Sequence, residues 1–108
     1  MPSPEFIDAE TLAEWLEDGS VDLIDVREEP EFAQARIPGS RLIPLSSFDP
    51  AAVDLPADRK VVFHCKSGVR CGHAADRMID FGEDRQLYRL RDGIIGWHRS
   101  GHPVEPGQ

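Results

Sequence analysis

The chain has 108 residues, the usual length of a single domain built around one hydrophobic core. Hydrophobic residues make up 40% and charged residues 30%, a balance typical of a globular domain and unlike that of disordered or membrane chains. The formal net charge of -8 argues against nucleic acid and against an anionic membrane as the main partner, because each requires a basic face.

The ends and the apolar runs of the chain bear on its location. No run approaches the roughly 20 apolar residues of a membrane span, and the first residues lack the basic and apolar regions of a signal peptide. We therefore expect one domain over residues 1–108, located in the cytoplasm, with flexible ends at about residues 1–4 and 105–108.

The first half of the chain predicts three strands and two helices. Asp8 is suited to cap the first helix and Gly19 to end it, and Pro30 is suited to the start of the second. The predicted strands lie at 5–7, 21–26 and 41–44, and the predicted helices at 9–18 and 31–34.

The second half begins with a segment that has no clean period. Residues 46–58 carry two prolines and predict a connection with one helical turn near 51–53. Strands are then predicted at 61–64 and 86–90, and helices at 72–81 and 94–99. Strands that alternate with helices of this length predict an α/β fold with a mostly parallel, five-stranded sheet and helices on both of its faces.

Cys65 follows the predicted strand 61–64 directly. Open parallel sheets bind ligands beyond the carboxyl ends of their strands, so this cysteine lies where a site is expected. A cysteine can also be a buried structural thiol that packs as a small hydrophobe. The strand already has its apolar residues in Val61 to Phe63, and a lysine, a serine and a glycine follow at once, which favours a reactive role.

The connection from Cys65 to Cys71 has the composition of an anion-binding loop. Ser67 and Gly68 supply the small side chains that a tightly curled backbone needs. Such a backbone points its N–H groups inward, and together with the start of the next helix it favours a bound negative charge. These amides and the cations Lys66 and Arg70 should lower the pKa of the Cys65 thiol and yield a thiolate nucleophile at neutral pH.

The charge distribution points to the same segment. Residues 59–75 contain no Asp or Glu, although the chain has 20 acidic residues. This window holds both cysteines and four basic residues, which are Arg59, Lys60, Lys66 and Arg70. A chance gap on a solvated face remains the alternative.

Motifs in a fixed order along nearly the whole chain resemble those of the single-domain rhodanese family of thiosulfate or persulfide sulfurtransferases. They are Asp25-Val26-Arg27-Glu28, Glu31-Phe32, Ile37-Pro38-Gly39-Ser40, the run from His64 to Arg70, Leu90, Gly93-Ile94, Trp97 and Gly101-His102-Pro103-Val104. The resemblance implies a rhodanese-like α/β fold. It also implies a catalytic cysteine that takes a sulfane sulfur from a donor and passes it to cyanide, a thiol or a protein.

Site residues follow from that resemblance position by position. Cys65 is expected to form the persulfide, and Lys66 and Arg70 are expected to meet an anionic donor. The amides of the loop Lys66, Ser67, Gly68, Val69, Arg70 and Cys71 would hold the outer sulfur. Asp25 and Arg27 are expected to have a supporting, structural role, since a charged pair at a strand end usually fixes a neighbouring loop.

Three departures from the family pattern stand out: Ala35-Arg36 before the Ile-Pro-Gly turn, Asp92-Gly93 before the last helix, and Cys71 where serine is usual. Cys71 has two interpretations. It could be a resolving thiol that attacks the Cys65 persulfide or forms a disulfide with Cys65. It could equally be a small helix residue in place of serine.

Other chemistries are alternatives to sulfur transfer. His64, Cys65, Cys71 and His73 are nominal metal ligands, but their spacing is unlike that of structural zinc sites, so we predict no metal and no cofactor. Related phosphatases and arsenate reductases have an arginine six residues after the cysteine, where this chain has Cys71.

An inert docking module, a sulfur carrier for one protein and a thiol-disulfide protein using Cys65 and Cys71 remain alternatives. The expected partners are a small sulfur donor and a thiol or cyanide acceptor.

Overall fold

The central element is a five-stranded sheet, seen in a computed structural model that describes residues 3–106. Its strand order is β1-β5-β4-β2-β3, and all neighbouring strands run parallel. The strands are β1 (Glu5–Ile7), β2 (Val21–Asp25), β3 (Ser40–Leu42), β4 (Lys60–His64) and β5 (Tyr88–Leu90). The predicted α/β class and five-stranded parallel sheet are therefore confirmed.

Helices connect the strands, as the alternating pattern predicts. They are α1 (Ala9–Asp18), α2 (Glu29–Gln34), α3 (Arg70–Phe81) and α4 (Gly93–Arg99), with 3-10 turns at Leu45–Ser47 and Pro50–Ala52. Both predicted ends of α1 are confirmed. The Asp8 side chain accepts a hydrogen bond of 2.8 Å from the Thr11 amide, and Gly19 closes the helix at a φ of 73°.

Several predicted boundaries were wrong in detail, and α2, for example, begins at Glu29 rather than at residue 31. β3 covers Ser40–Leu42 rather than 41–44, although the Ile43 amide still donates to the Asp25 carbonyl at 2.9 Å. β5 begins at Tyr88 rather than at residue 86. Helix α3 begins two residues before Gly72, since Val69 already has helical dihedral angles and its carbonyl accepts from the Gly72 amide at 3.1 Å.

The apolar core lies on both faces of the sheet. One layer packs α3 against the sheet, and the other packs α1 and α4 against the opposite face. β4 is at the centre: Val61 and Phe63 belong to the first layer, Val62 belongs to the second, and all three are fully buried. The predicted helices on both faces and the predicted burial of this strand are confirmed.

Both ends of the described chain lie outside the sheet. Of the predicted flexible ends, residues 1–2 and 107–108 lie outside the described part of the chain. Near the C-terminal end of the described range, Glu105 forms an antiparallel bridge with Arg36. Among the helices of residues 3–106, none has the length and apolar character that crossing a bilayer requires.

Candidate active site

Cys65 lies at the carboxyl end of the central strand β4. Its neighbours across the sheet edge are the end of β2, through Asp25 paired with His64, and the turn that follows β5. The Cys65 residue is only 1% exposed. The sulfur atom is thus at the base of the loop, with exposed Lys66, Ser67 and Val69 around it.

Hydrogen-bond donors converge on the Cys65 sulfur. The Gly68 amide donates to Sγ at 3.1 Å, and the amides of Ser67 and Cys71 also favour its negative charge. The Cys71 side chain also favours negative charge on that sulfur. Because α3 begins at Arg70, the amide of Cys71 belongs to the first turn of that helix, where N–H groups have no partner within the helix.

These donors lower the pKa of the Cys65 thiol to about 5. The hydrogen bond from the Cys71 side chain is the largest cause, and the backbone amides add to it. Burial acts in the opposite direction, because an apolar environment disfavours the charged form. The donors prevail over burial, so this lowered pKa favours the thiolate form of Cys65 at neutral pH.

Cys71 has the opposite acidity, although it is as buried as Cys65. Both cysteines are free thiols. Its sulfur donates to the Gly68 carbonyl at 3.2 Å. Its hydrogen bond to Cys65 and its burial raise the pKa of the Cys71 thiol well above the ordinary range. Cys71 therefore keeps its proton and donates it to the Gly68 carbonyl.

The backbone of Gly68 forms hydrogen bonds with both cysteines. Its amide faces Cys65, and its carbonyl accepts from Cys71 and from the Arg89 guanidinium. Its φ of 107° lies in the left-handed region, which glycine adopts without strain. Arg89 reaches the loop because Gly72 has no side chain: a Cβ on Gly72 would lie 2.6 Å from the guanidinium carbon.

The turn between β5 and α4 supports the other side of the loop. The amide of Ile94 donates to the Cys65 carbonyl at 2.9 Å, and the amide of Ile95 donates to the Lys66 carbonyl at 3.2 Å. A Cβ on Gly93 would collide with both of these carbonyl groups, and Gly93 has a φ of 57°. The glycine of the Gly93-Ile94 motif is thus required for close contact between α4 and the loop.

The two predicted loop cations have different surroundings. Arg70 forms two hydrogen bonds to the Glu31 carboxylate of α2, at 2.7 and 2.9 Å. This pairing holds the pKa of Glu31 at about 2. Lys66 is exposed and makes no ion pair within residues 3–106. The cation free to meet an anion in this part of the structure is therefore Lys66.

A buried cluster of charged and polar side chains lies at the carboxyl ends of β2 and β4. Asp25 and Arg27 form a two-point ion pair, with Nη2 and Oδ2 at 2.8 Å, and Nη2 also donates to the Ala35 carbonyl at 2.6 Å. His64 is fully buried, with Nε2 3.5 Å from Oδ2 of Asp25. Burial lowers the pKa of His64, so it is neutral. Asp25 and Arg27 thus connect the end of β2 to the end of α2.

The sequence-predicted residues are brought together only in part. The backbone of the loop surrounds Cys65, whereas the Arg70 side chain turns to Glu31 and the Asp25–Arg27 pair lies below the loop. No group of three or more His, Cys, Asp or Glu side chains in residues 3–106 is arranged to hold a metal ion. Sequence reasoning gave no role to Glu31 or Arg89, whose contacts with the loop span 39 and 21 residues.

The chain matches the Rhodanese-like domain over residues 8–100. It is similar to a sulfurtransferase of Allochromatium vinosum, with 38% identity over 99 residues that cover 91% of this chain and 92% of that protein.

Two further similarities describe how widely such a domain is used. An HTH-type transcriptional regulator of Mycobacterium tuberculosis is 38% identical over 109 residues, which are 97% of this chain but 47% of that protein. Among solved structures, a rhodanese-related protein of Thermoplasma volcanium has a TM-score of 0.80 and 28% identity, covering 94% of this chain and 97% of that one. One similar domain therefore occurs alone and within a larger regulator.

Proposed function

Because the chain belongs to the Rhodanese-like domain family, as its motifs predict, we propose that it transfers sulfur through a persulfide on Cys65. The observation that carries this proposal is the Cys65 sulfur itself, buried among N–H and S–H donors with a pKa of about 5. A thiolate is the form of cysteine that attacks sulfane sulfur.

In the first step the Cys65 thiolate attacks the outer sulfur of thiosulfate or of a persulfide donor. A new S–S bond forms, the S–S bond of the donor breaks, and its electron pair leaves with sulfite or with a thiolate. The amides of Ser67, Gly68 and Cys71 face the sulfur and favour the negative charge of the persulfide formed there.

In the second step an acceptor, such as cyanide or a thiolate, attacks the outer sulfur of the persulfide. The electron pair of the S–S bond returns to Cys65, which leaves as a thiolate. A thiol of low pKa is a good leaving group in such exchanges. The same donors that activate Cys65 for loading therefore assist its discharge.

Donor recognition rests on the two loop cations. Lys66 is exposed and free of ion pairs within residues 3–106, so we assign it the first contact with an anionic donor such as thiosulfate. Arg70 shares its guanidinium with Glu31, which reduces the charge that it offers to an incoming anion.

A second candidate is a thiol-disulfide role, favoured by the link of Cys65 and Cys71 through Gly68. It requires Cys71 to attack as a thiolate, and the raised pKa of Cys71 opposes this. A third candidate is a sulfur carrier for one partner protein, which would use the same persulfide. Sulfur transfer to an acceptor fits the protonation of both thiols better than disulfide formation.

Intact mass measurement after exposure to thiosulfate tests the proposal. We expect the wild type to gain one sulfur and to form thiocyanate when cyanide is added, because Cys65 is the acceptor of the sulfane sulfur. Cys65→Ser should gain none while keeping its fold, and Cys71→Ser, the matched change at the second thiol, should still load.

Three outcomes would contradict this account. Sulfur gained by Cys65→Ser would refute the role of Cys65. Release of phosphate from an aryl phosphate by Cys65, with no sulfur transfer, would indicate phosphatase chemistry instead. A loss of two hydrogens from the wild type would identify Cys71 as a resolving thiol.

A further inference from the structure

Arg89 places a cation in the core layer beside the reactive loop. It lies in β5, where the register pairs it with Phe6 of β1 on one side and with Phe63 of β4 on the other. Residues paired in this way share one face of a sheet, so Arg89 lies on the face of Phe63, which belongs to the layer under α3. The Nε atom of Arg89 is buried and has no hydrogen-bond partner within residues 3–106. A partly buried cation of this kind needs a physical reason for its position.

Three contacts fix the Arg89 guanidinium. Its Nη2 donates to the Gly68 carbonyl. Its Cζ lies 4.3 Å from the centroid of the Phe6 ring, a favourable arrangement of a cation and an aromatic face. On its third side it lies against Gly72, where a Cβ would be 2.6 Å from Cζ. The guanidinium is therefore held between β1, the first turn of α3 and the loop.

The position is electrostatically unusual because Arg89 has no carboxylate partner. It makes no ion pair within residues 3–106. It also lies at the N-terminal end of α3, where the helix dipole disfavours a cation. The groups that face it are the Gly68 carbonyl and Cys71: the Cys65 side chain and burial raise the pKa of Cys71, and Arg89 opposes them. The contacts of Arg89 are thus with the loop rather than with an acidic side chain.

Gly68 transmits this contact to Cys65. Its carbonyl accepts from Arg89 and from the Cys71 thiol, and its amide donates to the Cys65 sulfur at 3.1 Å. A thiol is a weak donor and a guanidinium is a strong one, so Arg89 is the stronger restraint on that carbonyl. Glycine has the widest choice of backbone conformations, and contacts from outside must therefore select one. Holding the Gly68 carbonyl also fixes the direction of its amide.

We propose that Arg89 is a positioning residue, which holds the Gly68 carbonyl and thereby keeps the Gly68 amide on the Cys65 sulfur. Phe6 and Gly72 place the guanidinium for this role. Arg89 acts through Gly68 and is not a catalytic residue. Its effect on sulfur transfer rests on the proposed function, whereas its effect on the Cys65 thiolate does not.

The other charged and titratable groups around Cys65 have different partners. Arg70 of α3 is paired with Glu31, His64 of β4 is neutral because of its burial, and Lys66 is exposed. Within residues 3–106, none of these side chains donates to the Gly68 carbonyl, which accepts from Cys71 and Arg89. A change at Arg89 should therefore not be compensated by its neighbours.

Titration of the thiolate ultraviolet absorbance tests the proposal, with Cys65→Ser in the same background as the blank for each variant. Arg89→Met removes the donor and keeps an apolar stem. It should raise the midpoint of the Cys65 step by about one pH unit, because it weakens a hydrogen bond to the charged sulfur. Arg89→Lys keeps a cationic donor and should titrate closer to the wild type than to Arg89→Met. Far-UV circular dichroism checks that each variant is folded.

Gly72→Ala displaces the guanidinium without changing any charge. The added Cβ occupies the place of the Arg89 guanidinium, and alanine favours a helix more than glycine does, so α3 should not be weakened. Gly72→Ala should raise the midpoint in the same direction as Arg89→Met. Combining the two changes should raise it no further than Arg89→Met alone, since both act on one contact. Additive shifts, or no shift in either single variant, would overturn the role of Arg89.

Arg91→Met is the matched control. It removes the same charge, and Cζ of Arg91 lies 4.8 Å from the centroid of the same Phe6 ring. Arg91 makes no side-chain hydrogen bond to the loop within residues 3–106. Its midpoint should equal that of the wild type. Equal shifts in Arg91→Met and Arg89→Met would mean that loss of positive charge, and not the hold on Gly68, changes Cys65.

The consequence for sulfur transfer is measured separately. The pH at which loading from thiosulfate reaches half of its plateau rate, followed by intact mass, should rise in Arg89→Met by the same amount as the titration midpoint. A loading profile that does not follow the titration would overturn the link between Arg89 and transfer. A wild type that gains no sulfur would overturn the proposed function, and the titration would still decide whether Arg89 positions Gly68.

Discussion

Cys65 and Cys71, at the two ends of one loop, have nearly the same burial but opposite acidity. Cys65 is 1% exposed and Cys71 is 0% exposed, and each bonds to the backbone of Gly68. The pKa of Cys65 is lowered to about 5, whereas that of Cys71 is raised.

Burial by itself would raise the pKa of both thiols. The difference comes from what each sulfur faces. Cys65 faces N–H groups and the S–H of its neighbour, which favour a negative charge. Cys71 faces a carbonyl oxygen and the Cys65 sulfur, which favour a proton. The direction of the surrounding dipoles, rather than access to solvent, decides which cysteine reacts.

The largest effect on this contrast is expected from Cys71→Ala. Removing the S–H donor should raise the pKa of Cys65 by about one to two units, since a hydrogen bond to a charged group contributes about 1.5–3 kcal/mol. Titration of the thiolate ultraviolet absorbance measures this shift. Cys71→Ser keeps a donor and should stay near the wild-type value. If the alanine and serine variants titrate alike, Cys71 does not act as a donor.

The next effect concerns Gly68, whose backbone joins the two sulfurs. Gly68→Ala should lower the free energy of unfolding by about 1–2 kcal/mol, because a Cβ is strained in the left-handed region. It should also raise the pKa of Cys65 by displacing the amide. Gly82→Ala is the matched control, with a φ of 121° at the end of α3 and open space around it.

Chemical denaturation and thiolate titration together separate these two consequences. Both glycine variants should be destabilised, and only Gly68→Ala should change the acidity of Cys65. An equal change of Cys65 in Gly82→Ala would show that general loosening of α3, rather than the Gly68 amide, controls the thiolate.

The smallest effect, on the KM for thiosulfate, is expected from breaking the ion pair between Arg70 and Glu31. Glu31→Gln keeps an acceptor for the Glu28 amide but removes the negative charge beside Arg70. A partly exposed pair contributes up to about 1 kcal/mol, so the KM for thiosulfate should fall by about two- to five-fold. Steady-state kinetics with a fixed cyanide concentration measure it.

Glu29→Gln is the control for charge alone, since Glu29 is exposed in the same helix and makes no ion pair within residues 3–106. Its KM for thiosulfate should change less. Equal decreases in both variants would mean that net charge, and not the release of Arg70, controls donor binding.

Much of the fold could be predicted because it depends on local signals. Asp8 and Gly19 mark the ends of α1 by their own backbone preferences, and Val61 to Phe63 identify a buried strand by composition. The position of Cys65 followed from the order of elements, because the cysteine comes directly after that strand.

The start of α3 and the partners of the loop could not be predicted in this way. Glycine is a poor helix former, so Gly72 suggested a helix boundary. In the structure Gly72 lies inside α3, and its lack of a side chain leaves room for the Arg89 guanidinium. Glu31 and Arg89 reach the loop over 39 and 21 residues, and no short motif encodes such contacts. A surface groove along α4 likewise joins Ala35, Ile94 and Val104 from distant parts of the chain.

The central claim is that Cys65, despite its burial, is the thiolate of this protein at neutral pH. Titration of the thiolate ultraviolet absorbance of the wild type, with Cys65→Ser as the blank, tests it most directly. The account predicts a single-thiol step with a midpoint near pH 5 that is absent from Cys65→Ser. Absence of that step until the ordinary thiol range, about pH 8.5, would contradict it.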